Sequence, residues 1–265
     1  MFKNLFYHND KDFILGNLRV FVKPKRLFVF FLVIFLLSIF SLIYPTLTGE
    51  TISSRYAKED AILLRVIDGD TIETNLGKVR LLGINTPEKN MPYSNESKNL
   101  LRQFENQSIE LLRDLEDKDM YGRMLRYLFY ETRLINIEIL ERGFASAYMT
   151  FGLRYEEELL RAESYSRKYS LGIWEKSQDA CTACISLVEL NATAEFFIIK
   201  NSCNFVCNLQ GWFVKDTGRN LFWLRLIASG EQQTFNSSKS VWNNDGDSFF
   251  MFDNKGKLVI FSRYS

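Results

Sequence analysis

An uninterrupted apolar run near the N-terminus constrains this chain more than any other feature of its sequence. Residues Leu27 to Tyr44 read LFVFFLVIFLLSIFSLIY, with two serines and no charged side chain. A run of this length just suffices to cross the hydrocarbon core of a bilayer, whereas a buried helix of a soluble domain would carry a polar stripe. The run therefore predicts a transmembrane anchor at 27–44, and a cleaved signal peptide is the alternative.

The charges that flank this run predict its orientation. Residues 1–26 contain six lysines and arginines against two aspartates, a net charge of +4. By the positive-inside rule, residues 1–26 form a cytoplasmic tail and everything after Tyr44 lies outside the cytoplasm. Residues 45–58 are polar and are predicted to be a linker. We therefore expect a single-pass protein of the cell membrane with extracytoplasmic domains, or a secreted protein if the segment is cleaved.

The composition indicates folded domains beyond the linker and excludes several enzyme chemistries. The chain is 46% apolar and 15% aromatic, enough to build cores. Its single histidine, His8, precedes the apolar run, which excludes Ser–His–Asp and Cys–His nucleophiles and His-ligated zinc hydrolysis. The 33 basic and 32 acidic residues nearly cancel, so any binding of nucleic acid must come from a local site.

Secondary-structure signals divide the remainder into two domains. Residues 59–178 alternate β-rich runs with helical patterns, and residues 185–265 contain short strands separated by turns. The predicted fold class is therefore α+β: an N-terminal transmembrane helix, a mixed β and α domain, and then a small all-β sandwich.

Oxygen donors and arginines gather in and just after the stretch from Asp68 to Glu88. Two aspartates flank a glycine at a turn, and a later strand ends in Asn-Thr-Pro-Glu. Oxygen ligands at neighbouring strand ends suit Ca²⁺ or Mg²⁺, and arginines would bind a phosphate through paired hydrogen bonds. Such residues are also ordinary turn residues, so a purely structural role stays open. The candidates are Asp68, Asp70, Arg80, Asn85, Thr86, Glu88 and, from a later turn, Arg123.

Four motifs in a fixed order resemble the staphylococcal nuclease family. RVIDGDTIETNLGKVRLLGINTPE is followed by DMYGR, ERGFA and LGIWE, which together cover roughly Ala61 to Lys176. The resemblance implies a five-stranded OB-type barrel packed with helices. It also implies a Ca²⁺-dependent phosphodiesterase that acts on DNA and RNA. We infer no obligate protein partner from the sequence.

The resemblance assigns metal-binding roles by position. Asp70 matches a metal ligand, and Thr86 matches the residue that offers its backbone carbonyl to the ion. Asn85 stands where the family usually has a second aspartate ligand. Its amide oxygen can still coordinate Ca²⁺, but one negative charge is missing, so we expect weaker ion binding. Asp68 matches a carboxylate that lies behind the ligands.

The same resemblance assigns the catalytic roles. Glu88 matches the carboxylate that activates or orients the attacking water. Arg80 and Arg123 match the two arginines that bind the phosphate and stabilise the phosphoryl transition state. Tyr121, in the DMYGR turn, is a candidate for stacking on a base or ribose of the substrate. None of these roles needs a histidine.

The C-terminal region resembles a lamin-tail domain, an immunoglobulin-like module. The resemblance rests on LQGWFVKD and on the later WNNDGDS, and it covers about eighty residues. It implies a module that tethers a secreted enzyme to a surface or to its substrate, without a catalytic role. Asp216, Asp245 and Asp247 lie in its turns and are predicted to be turn residues rather than calcium ligands.

Four cysteines form two close pairs near the junction of the domains. Cys181 and Cys184 lie in CTAC, and Cys203 and Cys207 lie in CNFVC. Inside a cell this pattern would favour zinc, but outside the cytoplasm disulfides are the default. Sequence allows three pairings. We favour pairing between the two motifs, which would clamp the tail to the preceding domain.

Together these patterns favour a membrane-anchored, outward-facing Ca²⁺-dependent nuclease. The main alternative is a non-catalytic surface module that binds nucleic acid or envelope polymers. A calcium-stabilised structural protein is a further alternative, and it predicts neither cleavage nor nucleotide binding.

Overall fold

The structure is a computed structural model, and it forms two compact units. It describes residues 14–15, 18–19, 29, 31–40, 58–150 and 152–264. The first unit is Met1–Ser54 and the second is Arg55–Ser265.

The first unit contains the predicted membrane segment. Strands β1 (Ile14–Leu15) and β2 (Leu18–Arg19) pair antiparallel, and a helix, α1, covers residues 31–40. Within the described ranges, no helix combines the length and apolarity needed to span a bilayer. Both ends of the predicted span at 27–44 fall outside those ranges.

Five strands close into a barrel in the first half of the second unit. The strands of this half are β3 (Lys58–Val66), β4 (Thr71–Thr74), β5 (Gly77–Leu81), β6 (Ile84–Asn85), β7 (Ser108–Lys118), β8 (Met124–Tyr130), β9 (Arg133–Leu134) and β10 (Ser146–Ala147). β3 pairs antiparallel with β4 and β7, β4 with β5, and β7 with β8. A parallel pairing of β5 with β8 closes the barrel. This confirms the predicted OB-like barrel and the α+β class.

Apolar side chains that alternate along these strands fill the barrel, because successive residues of a strand point to opposite faces. Three helices pack around it: α2 (Ser94–Arg102), α3 (Ile135–Glu141) and α4 (Glu156–Lys168). α3 is followed by Gly143 at φ +69°, where an added Cβ would lie 2.0 Å from the carbonyl oxygen of Leu171. Only glycine fits at this predicted helix stop. Side chains with no solvent exposure in the barrel core include Leu63, Ile72, Val79, Leu111 and Leu128.

The second half is an all-β region that two short 3₁₀ helices, η1 (Gly172–Trp174) and η2 (Ala180–Ala183), connect to the barrel. Its strands are β11 (Ile185–Asn191), β12 (Phe196–Asn201), β13 (Cys207–Asn208), β14 (Phe213–Lys215), β15 (Leu221–Trp223), β16 (Leu226–Ile227), β17 (Gln232–Asn236), β18 (Asp247–Phe252) and β19 (Leu258–Tyr264). One sheet has the order β11-β12-β17 and the other β15-β14-β18-β19, while β13 pairs with β16. Phe197 of the first sheet and Phe249 of the second share one core.

Strand β18 is buried along its whole length, because both of its faces are covered. Phe249 and Met251 point into the core of the all-β half. Phe250 and Phe252 point the other way, into a separate apolar cluster that includes Trp174 from the end of the barrel half. The all-β half is therefore packed against the barrel half rather than joined to it by a free tether.

Polar contacts reinforce this junction. Glu163 of α4 is 2% exposed at its side chain, and both of its carboxylate oxygens accept hydrogen bonds from Arg263 of β19, at 2.7 and 2.8 Å. Glu175 also pairs with Lys257 across the junction. A buried, two-pronged arginine–carboxylate pair fixes orientation as well as proximity.

All four cysteines form disulfides, and each bond joins the CTAC motif to the CNFVC motif. Cys181 is bonded to Cys207, and Cys184 to Cys203. Cys181, Cys203 and Cys207 lie in the core of the all-β half, and the partly buried Cys184 packs against it. The bonds therefore tie the connecting segment to the sheets of that half, and the clamp on the barrel comes from the apolar cluster and ion pairs described above.

Replacing Cys181 and Cys207 together with serine is expected to lower the free energy of unfolding by about 3 kcal/mol, because the bond closes a loop of 26 residues in the unfolded chain. Urea unfolding followed by circular dichroism measures the change. Reduction of the wild-type chain opens both bonds and should destabilise it at least as much. An unchanged midpoint after complete reduction would contradict the assignment.

Candidate active site

The turn between β3 and β4 places Asp70 at the centre of a hydrogen-bond network. Its Oδ2 accepts from both the backbone N and the Oγ1 of Thr86, each at 2.9 Å, and its Oδ1 accepts from Thr71 Oγ1 at 3.1 Å. Gly69 lies so close to Thr86 that an added Cβ would be 2.8 Å from Thr86 Oγ1. The turn and the later strand end therefore meet, as the sequence predicts.

A second carboxylate lies beside Asp70 and gives this corner a negative charge. Asp68 Oδ1 accepts from the backbone N of Asp70 at 3.2 Å. Burial, and then the neighbouring charge of Asp70, raise the pKa of Asp68 above its ordinary value. Both effects disfavour the charged form of Asp68. Two adjacent carboxylates with hard oxygen donors fit a divalent cation such as Ca²⁺.

Arg80 of β5 joins two of the three predicted metal ligands. Its Nη2 lies 3.3 Å from Asp70 Oδ2 and donates at 3.3 Å to Asn85 Oδ1, while its Nη1 donates to the backbone O of Leu81 at 2.9 Å. The side chain is 14% exposed. Arg80 therefore forms the floor of the site, in contact with the residues that would hold the ion.

Arg123 approaches the same corner from the turn before β8. Its Nε donates to Asp119 Oδ2 at 2.7 Å, and its Nη1 donates to Thr71 Oγ1 at 3.3 Å. Burial alone would raise the pKa of Asp119, but hydrogen bonds from Arg123 hold it below its ordinary value. Asp119 thus orients the guanidinium. The ring of Tyr121, 77% exposed, lies 5.5 Å from the Arg123 Cζ.

All the predicted catalytic, metal and substrate residues of the barrel line one cleft of about 700 Å³. A cleft of this size is typical of ligand sites. Thr86 also lines the cleft, and its backbone N and hydroxyl both donate to Asp70. The metal-binding role of its carbonyl stays a prediction. The cysteines lie elsewhere, in the all-β half. The predicted residues in the cleft are Asp68, Asp70, Arg80, Asn85, Thr86, Glu88, Tyr121 and Arg123.

Sequence reasoning missed the opposite wall of the cleft, which the all-β half supplies. Arg219 donates from Nε to Glu88 Oε1 at 2.7 Å, and Asn85 Nδ2 donates to the backbone O of Thr217 at 2.5 Å. The stretch Asp216 to Asn220 carries only a turn signal, and nothing local reveals that it faces another domain. The residues of this wall are Asp216, Thr217, Gly218, Arg219, Asn220, Ser240, Val241 and Asn243.

A closed five-stranded barrel with oxygen donors and arginines converging in one cleft is an OB-type fold whose site suits a phosphate ester, and comparison with known proteins places it among hydrolases of such esters. The family described as staphylococcal nuclease homologue matches residues 78–176. The thermonuclease of Staphylococcus intermedius is 32% identical over 130 residues, covering 44% of this chain and 77% of that protein. The thermonuclease of Staphylococcus hyicus is 32% identical over 124 residues, with 42% and 73% covered.

A protein of Haemophilus influenzae described as an uncharacterized endonuclease is 30% identical over 123 residues, covering 44% of this chain and 67% of that protein. The chain therefore belongs to the staphylococcal nuclease family. The barrel and its helices form a nuclease domain, a hydrolase of phosphodiester bonds.

Proposed function

We propose that the chain is a Ca²⁺-dependent nuclease that hydrolyses phosphodiester bonds of DNA and RNA outside the cytoplasm. The observation that carries the proposal is the convergence of Asp70, Arg80, Glu88 and Arg123 in one cleft of the barrel. Arg123 comes from the DMYGR motif and the other three from separate turns and strands of the first motif, and a purely structural role for each would not require them to face the same space.

Each side chain has a distinct task in this proposal. Arg80 and Arg123 bind the oxygens of the scissile phosphate and hold them more tightly as charge builds up in the transition state. Glu88 orients a water and takes its proton while the water oxygen attacks phosphorus. One P–O ester bond then breaks, and the leaving oxygen receives a proton from solvent.

The ion site in this proposal consists of Asp70, Asn85 and the carbonyl of Thr86, with Asp68 behind them. When bound, Ca²⁺ neutralises charge on the phosphoryl oxygens. The carboxyl of Asp70 is buried and fixed by Thr71 and Thr86, so it is already oriented before the ion binds. Asn85 contributes an oxygen without a charge, which predicts an affinity suited to an environment rich in calcium.

We also propose that residues 27–44 anchor the enzyme in the cell membrane with its domains outside. The support is the uncharged apolar run and the basic segment before it. Two disulfides fit an oxidising compartment. The lamin-tail resemblance of the all-β half belongs to the same proposal, in which that half also works outside the cytoplasm.

Digestion of plasmid DNA and of single-stranded RNA by the purified full chain tests the function. We expect cleavage in Ca²⁺ and its loss in EGTA, because the chelator removes the ion that neutralises charge on the phosphoryl oxygens. Glu88→Gln should lose most of the activity and Glu96→Gln, on the exposed surface of α2, should keep it. Absence of cleavage by the wild type together with a band shift would instead favour the non-catalytic binding module.

A further inference from the structure

The turn Asp216–Asn220 of the all-β half is built into the nuclease cleft. Asp216 Oδ1 and Oδ2 accept from the backbone N and Nδ2 of Asn220, at 3.1 and 2.6 Å. The backbone N of Thr217 donates to Asp247 Oδ1 at 3.0 Å. Asp216, Thr217 and Asp247 are all buried. These buried hydrogen bonds hold the turn in one conformation, so its position against the barrel is a fixed feature of the fold.

Asn85 of the barrel is complementary to this turn in its hydrogen bonding. Asn85 Nδ2 donates to the Thr217 carbonyl, while Asn85 Oδ1 accepts from Arg80. An aspartate at position 85, which the family resemblance leads one to expect, could not donate and would set a carboxylate against the carbonyl oxygen. The amide therefore serves both sides of the cleft. Asparagine therefore replaces the expected aspartate at the position where the barrel contacts the Asp216–Asn220 turn.

Arg219 lies at the mouth of the cleft, while the other two arginines lie deeper. Its side chain is 79% exposed, against 14% for Arg80 and 27% for Arg123. Its Nε bonds Glu88, and no other hydrogen bond of its guanidinium is found among the described residues. An exposed ion pair of this kind contributes little to stability, because solvent screens it. A phosphate can therefore compete with Glu88 for the guanidinium at little cost.

We propose that Arg219 binds a phosphate of the nucleic acid substrate next to the scissile one, so that the all-β half forms part of the substrate site. The inference rests on the proposed nuclease function. Binding of that phosphate replaces the contact with Glu88 and frees this carboxylate to orient water. Arg219 is thus a substrate-binding residue, and Thr217 and Asp216 position it.

Binding of a fluorescein-labelled oligothymidylate in EGTA, followed by fluorescence anisotropy of the full chain, tests the proposal without cleavage. Arg219→Ala should weaken binding roughly tenfold at low salt, because a charge-assisted contact to a phosphate is lost. The slope of log K against log salt between about 50 and 200 mM should fall by about 0.7, the value for one phosphate contact on a single strand. Arg219→Lys should retain the slope, since it retains the charge.

Arg225→Ala is the matched control, because Arg225 is an exposed arginine of the same half outside the cleft. It should leave affinity and slope unchanged. In digestion assays with Ca²⁺, Arg219→Ala should raise KM while kcat changes little. A merely structural role would instead lower thermal stability and leave the salt slope of the folded fraction unchanged.

Three results would overturn the proposal. Arg219→Ala with wild-type affinity and slope would show that no phosphate is bound there. A higher kcat in Arg219→Ala would show that the arginine restrains Glu88 instead of serving the substrate. Absence of oligonucleotide binding by the wild type would remove both proposals. A wild type that binds but does not cut would overturn the proposed nuclease function alone, because anisotropy still decides the role of Arg219.

Discussion

Replacing Arg123 with alanine is expected to lower kcat/KM for DNA cleavage by about 10³-fold, the upper range for removal of one preorganised donor from a charged transition state. Asp119 holds the Arg123 Nε, which leaves the Nη groups directed toward Thr71 and the cleft. Because the guanidinium is oriented before substrate arrives, its contribution increases as charge develops on the phosphate. Initial rates on a single-stranded oligonucleotide in saturating Ca²⁺ measure the loss.

Two further variants separate charge from geometry at this position. Arg123→Lys keeps the charge but not the planar fork, so it should recover only a small part of the rate. Arg133→Ala removes an arginine that forms an exposed ion pair with Glu138 away from the cleft, and it should digest DNA at the wild-type rate. Normal digestion by Arg123→Ala in a folded chain would show that the assigned mechanism is wrong.

The barrel side of the site was predictable because its residues are linked by local strand pairing. In the β4–β5 hairpin Thr71 lies opposite Arg80, which sets Arg80 beside Asp70 of the preceding turn. The parallel pairing of Val79 with Met124 brings the end of the DMYGR turn to the same corner. Once the motifs fix the barrel, its strand register brings their charged residues together.

The opposite wall was not predictable, because its position depends on packing between the two halves. The sequence pattern of the all-β half predicts short strands and turns, but it does not show that Phe250 and Phe252 of β18 are buried against Trp174. The continuous apolar run FFMF at residues 249–252 is consistent with burial on both faces, but it does not identify the partner that covers each face. Arg219 carries no sequence signal of its own for the same reason, since its partner Glu88 is 131 residues away in sequence.

At Asn85, one part of the role is predictable from sequence and the other depends on packing between the two halves. From sequence alone it is a weakened metal ligand, because an amide replaces a carboxylate. The structure adds that its Nδ2 donates to Thr217 across the cleft. Asparagine at this position therefore gains a hydrogen bond that aspartate could not donate. The tail was expected to be a tether without a catalytic role, and its contact with Asn85 and Glu88 supports a closer involvement in substrate binding.

Replacing Trp174 with alanine is expected to lower the free energy of unfolding by about 3–5 kcal/mol, the usual loss for a large aromatic side chain removed from a core. Trp174 is 1% exposed, and its ring centroid lies 5.0 Å from that of Phe261 and 5.9 Å from that of Phe250. The cavity would open between the barrel half and the all-β half. Urea unfolding of the full chain, followed by far-ultraviolet circular dichroism, measures the change.

Trp223→Ala is the matched control, because Trp223 has the same side chain but is 58% exposed. Its loss should cost less than about 1 kcal/mol, as is usual for a surface position. The indole Nε1 of Trp174 has no hydrogen-bond partner within the described part of the chain, so the substitution breaks no hydrogen bond. The loss combines apolar packing with the contact of the Arg167 guanidinium, whose Cζ lies 5.5 Å from the ring centroid. Equal losses of unfolding free energy in the two variants would mean that the apolar cluster does not hold the two halves together.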